Sequence, residues 1–139
     1  MFVLDTNVIS ELRKSNTSKI NPNVKRWSES VLPSSLFLSV ITLLELEMGI
    51  GLMERRDLAQ AALLRTWFNH YVLPNFNQRI LTIETEIALC CGKLHVPNPR
   101  SDRDALIAAT ALVHHMTVVT RNVADFEPTG VALLNPWES

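Results

Sequence analysis

The sequence predicts an α/β fold with a mostly parallel central sheet, and two patterns support this prediction. Short apolar segments alternate along the chain with longer segments in which apolar residues recur every three or four positions. Strands that alternate with helices in this way form a parallel sheet covered by helices on both faces. The length of 139 residues, with 47% hydrophobic and 19% charged content, fits one globular domain over 1–139.

The first strand and the first helix follow directly from the opening residues. Residues 2–4 are uniformly apolar, which is typical of a strand buried on both faces. The apolar residues of 8–12 then recur at helical spacing. Thr6 or Asn7 is predicted to cap this helix, because a short side-chain oxygen can accept a free backbone N–H. Asp5 therefore lies where a central strand ends and a helix begins.

The later elements are predicted by the same two patterns. Thr42 is expected to cap the third helix, with Glu45 three residues later completing a capping box. Ser101 or Asp102 is expected to cap the alanine-rich helix. The remaining strands are predicted at 36–40, 79–83, 117–120 and 131–134, and the remaining helices at 24–31, 43–50, 58–71, 84–94 and 103–115.

Charge and cysteine content restrict the class of protein. A net charge of −1 argues mildly against a simple electrostatic binder of nucleic acid, but it does not exclude an enzyme that holds a polyanion through a metal ion and a few local arginines. Cys90 and Cys91 are adjacent and unsuited to bridging each other, and no zinc-type spacing is present. Neither a signal peptide nor a membrane span is predicted. We therefore expect a cytoplasmic protein without membrane contact.

Four polar groups are predicted to meet at one edge of the sheet. Asp5 ends the first strand, Glu45 and Asp104 lie near helix starts, and 120–122 ends a later strand, followed by Asp125. The carboxyl ends of parallel strands share an edge, where ligands bind. Clustered carboxylates repel each other unless a cation lies between them. Oxygen ligands without His or Cys favour Mg²⁺ or Mn²⁺.

Each of these residues also has a structural explanation. Asp5 could simply cap the first helix, and Glu45 could be only the capping-box acid. Asp104 could be a first-turn acid stabilised by the helix dipole. Asn122 and Asp125 resemble ordinary turn residues. Only the combination of all these residues is specific.

Four segments carry a family resemblance. Residues 4–7 (LDTN), 39–46 (SVITLLEL), 104–111 (DALIAATA) and 119–126 (VTRNVADF) resemble PIN-domain ribonucleases, and more narrowly VapC toxins. The Asn-Pro-Trp at 135–137 is similar to the end of the FitB-like branch of that family. The resemblance implies a three-layer α/β/α fold, a Mg²⁺- or Mn²⁺-dependent endoribonuclease, a homodimer and an inhibitory antitoxin of the VapB or FitA kind.

The resemblance also assigns roles to residues. Asp5 and Asp104 match the two metal-binding acids of the family, and Glu45 matches the glutamate that supports the metal or its waters. Asn122 stands where the four-acid form has its fourth acid, a departure shared by many VapC-like members. Asn can orient a water but brings no charge, which leaves a second metal in doubt.

Three further residues are predicted to support the site. Thr6 and Thr120 are candidates for hydrogen bonds to the acids or their waters. Asp125 is expected to hold its loop through the backbone. Arg121, beside the acids, could bind a phosphate bidentately.

The leading hypothesis is an endoribonuclease in which Asp5, Glu45 and Asp104 bind the metal and Asn122 positions the attacking water, leaving a 5′-phosphate. The alternative is a non-catalytic PIN-like binding module whose acidic pocket receives an arginine from a partner protein. A response-regulator-like phosphate acceptor ranks last, because it needs a lysine late in the sheet and Lys93 is the last lysine.

Overall fold

The computed structural model describes residues 1–138 and has a five-stranded, wholly parallel sheet at its centre. The strands lie in the order β3-β2-β1-β4-β5, so the first strand of the chain is the middle strand of the sheet. The predicted domain over 1–139 includes Ser139, which lies outside the described residues. The strands are β1 Phe2–Leu4, β2 Leu36–Ser39, β3 Ile80–Leu81, β4 Thr117–Val119 and β5 Leu133–Leu134.

Helices connect successive strands. The helix Leu58–Trp67 continues through a π-helical turn at Phe68–Val72, and short 3₁₀ turns precede β2 and follow the helix Val123–Phe126. No helix within 1–138 is long and apolar enough to cross a bilayer. The helices are α1 Thr6–Leu12, α2 Pro22–Ser30, α3 Val40–Glu54, α4 Leu58–Trp67, α5 Leu73–Asn75, α6 Thr85–Leu94, α7 Asp102–Val113 and α8 Val123–Phe126.

The strand β1 shows how the sheet divides the core. Successive side chains of a strand point to opposite faces, and Val3 and Leu4 are both fully buried. Leu4 packs in a cluster with residues of α1, α3 and the π-helical turn. Val3 packs in a second cluster, with residues of α7 and α8 such as Ile107 and Phe126. These two cores confirm the predicted three-layer α/β/α architecture.

Two predicted helix caps were wrong. The helix α1 is capped by Asp5, whose carboxylate accepts the Thr6 N–H, and not by Thr6 or Asn7. The helix α3 begins at Val40 after Ser39, whose hydroxyl accepts the Ile41 N–H at 3.1 Å.

The predicted capping box at Thr42 is consequently absent. Thr42 lies inside α3, fully buried, and its hydroxyl donates to the Leu4 carbonyl at 3.4 Å. The spacing to Glu45 matched a capping box, but Ser39, already at the end of β2, starts the helix one turn earlier.

The remaining elements lie close to their predicted positions. Ser101 precedes α7 in the cap position, one of the two residues predicted for it, although its side chain makes no capping hydrogen bond. The strands β3 and β5 have two residues each and are shorter than predicted. Cys90 and Cys91 are both free thiols, as predicted.

Candidate active site

The site begins at the junction between β1 and β4. These strands pair in register, with Leu4 opposite Val119, and the Asp5 N–H extends the pairing by donating to the Val119 carbonyl at 2.9 Å. Asp5 and Thr120 therefore follow the two strands at the same edge. The chain continues from β1 to β2 on one side of β1, and later places β4 on the other side, so the direction in which strands are added reverses at β1. Such a point of reversal, at the carboxyl ends of strands, is where open α/β sheets bind ligands.

Asp5 is a buried carboxylate with several hydrogen-bond donors. Its Oδ1 accepts the Thr6 N–H at 2.8 Å, while its Oδ2 accepts the Thr120 hydroxyl at 2.8 Å and the Asn7 amide at 3.3 Å. Burial raises the pKa of Asp5, and the charges of Glu45 and Asp125 raise it further, while the Thr120 and Thr6 hydrogen bonds oppose the rise. Asp5 thus both caps a helix and presents a carboxylate to the site.

Glu45 reaches the same edge from α3. Its Oε1 accepts the Thr6 hydroxyl at 2.6 Å, and its Oε2 lies 3.7 Å from Nη1 of Arg103. Because Thr6 also bonds to Asp5 through its backbone, one residue contacts both acids. Glu45 therefore belongs to the site and has no capping function in α3.

Asp104 is the third residue of α7 and is half-buried. Its pKa is raised to about 6, mainly by burial and further by the charges of Asp5, Asp125 and Glu45, while Arg103 opposes the rise. The pKa of one carboxyl is raised by the charge of another only when the two lie close together. Asp5, Glu45, Asp104 and Asp125, which we call the acidic cluster, therefore share one electrostatic environment.

The loop after β4 provides both Asn122 and Asp125. The Asn122 N–H donates to the Thr120 hydroxyl at 3.0 Å, and the Asp125 N–H donates to the Asn122 carbonyl at 3.1 Å. The backbone N–H of Asp125 thus closes a turn of this loop. The Asp125 carboxylate also raises the pKa of both Asp5 and Asp104. Asp125, and not the neutral Asn122, adds the fourth negative charge.

Two basic residues border the acidic cluster. The Arg121 N–H donates to the Asn7 side-chain oxygen at 3.3 Å, and the Arg121 guanidinium lies 5.2 Å from the centre of the Trp137 ring. Arg103 contacts Glu45 and was missed by sequence reasoning. The sequence shows only that Arg103 is adjacent to Asp104. Adjacency in the chain does not reveal which acid the arginine side chain contacts.

The donor set fits a hard divalent cation. Within residues 1–138, no three His, Cys, Asp or Glu side chains lie close enough together to enclose an ion by themselves. Mg²⁺ is usually bound through one or two carboxylates, with waters and substrate phosphates as the other ligands. Besides burial, the charges of Asp5, Asp125 and Glu45 raise the pKa of Asp104, and Arg103 opposes them. Carboxylates at this density suit a cation of this kind.

The sheet order and the acidic cluster define a three-layer α/β/α domain with a carboxylate site at the carboxyl edge of its central strand. Comparison with protein families shows which family of three-layer α/β/α domains this chain belongs to. The PIN domain family model matches residues 2–128, and the chain belongs to the PIN domain family.

Individual relatives are similar over nearly the whole chain. VapC ribonuclease Y4jK of Sinorhizobium fredii is 35% identical over 99% of both chains, and toxin FitB of Neisseria gonorrhoeae is 32% identical over 99% of both. The crystal structure of FitAcB from Neisseria gonorrhoeae superimposes with a TM-score of 0.89 and 32% identity, covering 100% of both chains. The fold and the order of the segments are thus shared with these relatives.

Proposed function

We propose that this chain is a metal-dependent endoribonuclease that serves as the toxin of a toxin–antitoxin pair. The observation that supports this most strongly is the convergence of Asp5, Glu45, Asp104 and Asp125 at one sheet edge, with the pKa of Asp104 raised to about 6. The relatives are named as a VapC ribonuclease and as toxin FitB, and both match over almost their full length.

In this proposal Asp5 and Asp104 bind the cation, Mg²⁺ or Mn²⁺, and Glu45 binds it or its waters. Such a cation supplies positive charge to a phosphodiester and makes a water more acidic, which favours in-line hydrolysis leaving a 5′-phosphate. Thr6 fixes Glu45 through the 2.6 Å hydrogen bond, and Thr120 fixes Asp5 through the 2.8 Å hydrogen bond. Oriented carboxylates bind a cation better because less freedom is lost on binding.

In this proposal, residues of the loop after β4 orient the attacking water and bind the RNA substrate. Asn122 is exposed and makes no side-chain hydrogen bond within 1–138, so its amide is free to orient the attacking water. Asp125 adds charge to the cluster without the burial of Asp5. Arg121 is exposed at the rim of the site and binds a phosphate of the RNA.

The proposed partner is an antitoxin of the VapB or FitA kind, acting in the cytoplasm. The solved relatives include FitAcB and a FitAB complex bound to an IR36 DNA fragment, at TM-scores of 0.89 and 0.87. We also propose a homodimer. The exposed residues Leu44, Met48 and Leu52 recur every four positions along α3 and form an apolar stripe that a second copy would cover.

The test measures cleavage of a labelled RNA by the purified chain during titration with Mg²⁺. We expect saturable, EDTA-sensitive cleavage that Asp5→Asn abolishes. Glu86→Gln, which removes one exposed acid from the first turn of α6, is the matched control and should cleave normally. An Asp5→Asn protein that cleaves at the wild-type rate would falsify the proposal.

A second candidate function is supported by one contact. The Arg103 guanidinium already lies 3.7 Å from Glu45, and this contact supports a site in which Glu45 pairs with an arginine. A non-catalytic module could receive an arginine of a partner protein in the same way. That function predicts tight binding of an arginine-containing partner with no RNA cleavage at any Mg²⁺ or Mn²⁺ concentration.

A further inference from the structure

Arg121 follows Thr120, the hydrogen-bond partner of Asp5, and its charge lowers the pKa of Glu11, which also lines the cavity described below. The Arg121 backbone N–H is tied to Asn7, which in turn donates to Asp5. Among residues 1–138, the Arg121 guanidinium makes no hydrogen bond and has no carboxylate oxygen within 4.0 Å. The five N–H groups of this arginine are therefore available to a ligand.

Trp137 holds the guanidinium in place from one side. The ring centre lies 5.2 Å from the guanidinium carbon, which is within the range of a cation–π contact. Two hydrogen bonds hold the backbone of Trp137. The side-chain amide of Asn23 donates to the Trp137 carbonyl at 2.7 Å, and the backbone N–H of Trp137 donates to the side-chain oxygen of Asn135 at 3.0 Å. A ring that covers one face of a guanidinium leaves the in-plane N–H groups uncovered.

Both residues line the same cavity as Glu45, one of the four acids of the acidic cluster. This cavity of about 480 Å³ is lined by Thr6 and Glu45 together with Arg121 and Trp137. Its volume is in the usual range for a small-ligand site. Trp67, with part of its surface exposed, provides an aromatic wall. A guanidinium that can bind a phosphate, an aromatic surface and the Glu45 carboxylate thus line one cavity, which suits one nucleotide of a single strand.

We propose that Arg121 binds the phosphate next to the scissile one in single-stranded RNA, and that Trp137 is the positioning residue for Arg121. This inference rests on the proposed nuclease function and specifies where the RNA substrate of the nuclease binds. Arginine binds phosphate oxygens bidentately, and holding it in place beforehand reduces the freedom lost on binding. The Asn135–Trp137 segment therefore acts on substrate affinity through Arg121.

The test measures binding of a fluorescein-labelled 12-nucleotide single-stranded RNA in Ca²⁺ buffer, so that affinity is read apart from cleavage. We expect Arg121→Ala to weaken binding about tenfold and to reduce the salt slope by about 0.7. Trp137→Ala should weaken it about three- to fivefold, and Trp137→Phe, which keeps an aromatic face, should bind nearly as the wild type. The double variant should equal Arg121→Ala, because Trp137 acts only through Arg121.

The control is Lys25→Ala, which removes an exposed cation from α2 and should leave RNA affinity unchanged. Unchanged affinity in Arg121→Ala, additive losses in the double variant, or a wild-type chain that does not bind the RNA would each overturn the inference. Melting temperatures separate a folding defect in Trp137→Ala from loss of positioning. A chain that binds RNA in the expected pattern but never cleaves it would contradict the proposed function alone.

Discussion

The hydroxyl of Thr120 donates a 2.8 Å hydrogen bond to Oδ2 of Asp5, although 115 positions separate the two residues in the chain. Both are buried, Thr120 completely and Asp5 with 6% exposure. The same Thr120 oxygen accepts the Asn122 N–H at 3.0 Å. One hydroxyl therefore joins the buried acid to the loop that contains Asn122 and Asp125.

Thr120→Val should weaken RNA cleavage and divalent-cation binding by about tenfold, the lower end of the effect seen when a hydrogen bond to a metal ligand is lost. The pKa of Asp5 should rise further, because the Thr120 bond lowers it. Stability should fall by about 1–2 kcal/mol, since buried polar groups lose a partner.

Thr117→Val is the matched control for this change. Thr117 begins β4, the strand that Thr120 follows, and makes no side-chain hydrogen bond within the described residues. Cation affinity, measured by calorimetry, should be unchanged in that variant. Equal cation affinity in Thr120→Val and the wild type would show that the hydroxyl does not orient Asp5.

Without divalent cations, the stability of the protein should fall as pH rises from about 4 to about 6. Asp104 has a folded-state pKa of about 6 against an ordinary value of 3.8, so the folded chain holds the proton more tightly than the unfolded chain. A raised carboxyl pKa adds stability below the unfolded pKa, and that stability is lost as pH rises through the folded pKa. Asp5, whose pKa is also raised, acts in the same direction.

Asp104→Asn should remove much of this pH dependence. At pH 7 in EDTA the variant should be more stable than the wild type by about 1–2 kcal/mol, a value reduced for the partial exposure of Asp104. Urea unfolding at pH 4 and pH 7 measures it, with Glu86→Gln as the exposed first-turn control. A wild-type stability in EDTA that rises across this pH range would contradict the sign of the Asp104 shift.

Asp125→Asn should lower the pKa of Asp104 and weaken cation binding by about two- to fivefold, the usual size for exposed charge pairs. The reason is that the Asp125 carboxylate is one of the charges that raise the Asp104 pKa. Asn122→Ala, three positions earlier, is the control, because it removes no charge. NMR titration of the Asp104 carboxyl measures both variants, and an equal shift in the two would assign the effect to loop geometry.

Arg103→Gln should bind divalent cations about two- to fivefold more tightly than the wild type. The Arg103 guanidinium lies 3.7 Å from Glu45 and lowers the pKa of Asp104, so its removal leaves more uncompensated negative charge. Arg56→Gln, an exposed arginine beyond the end of α3, controls for the change in net charge. Weaker cation binding in Arg103→Gln would indicate that this contact holds Glu45 in its binding position.

The sheet was predictable because its strands are short apolar runs with little ambiguity. Residues 2–4 form a uniformly apolar strand and residues 117–119 a β-branched strand, and the last two residues of each are buried. The alternation with helices predicts parallel pairing. Helix starts were less predictable. Ser39 and Thr42 are both good capping residues, and only the position at which β2 ends decides between them.

The sequence was sufficient to predict which acids lie at the same edge of the sheet, but not their individual contacts. The strand-end and helix-start positions of Asp5, Glu45 and Asp104 follow from topology alone. The contacts of Arg103 with Glu45 and of Trp137 with Arg121 join residues distant in the chain. Such contacts depend on how side chains of different elements meet, which residue spacing does not reveal.

The strand order has a consequence for synthesis of the protein. The middle strand β1 is made first, but its neighbour β4 is made only after more than a hundred further residues. A nascent chain that ends before Thr117 lacks both β4 and Asp125, and its Asp5 has no Thr120 partner. Under the proposed function, the chain would stay harmless to the ribosome-bound RNAs around it until almost all of it had been translated.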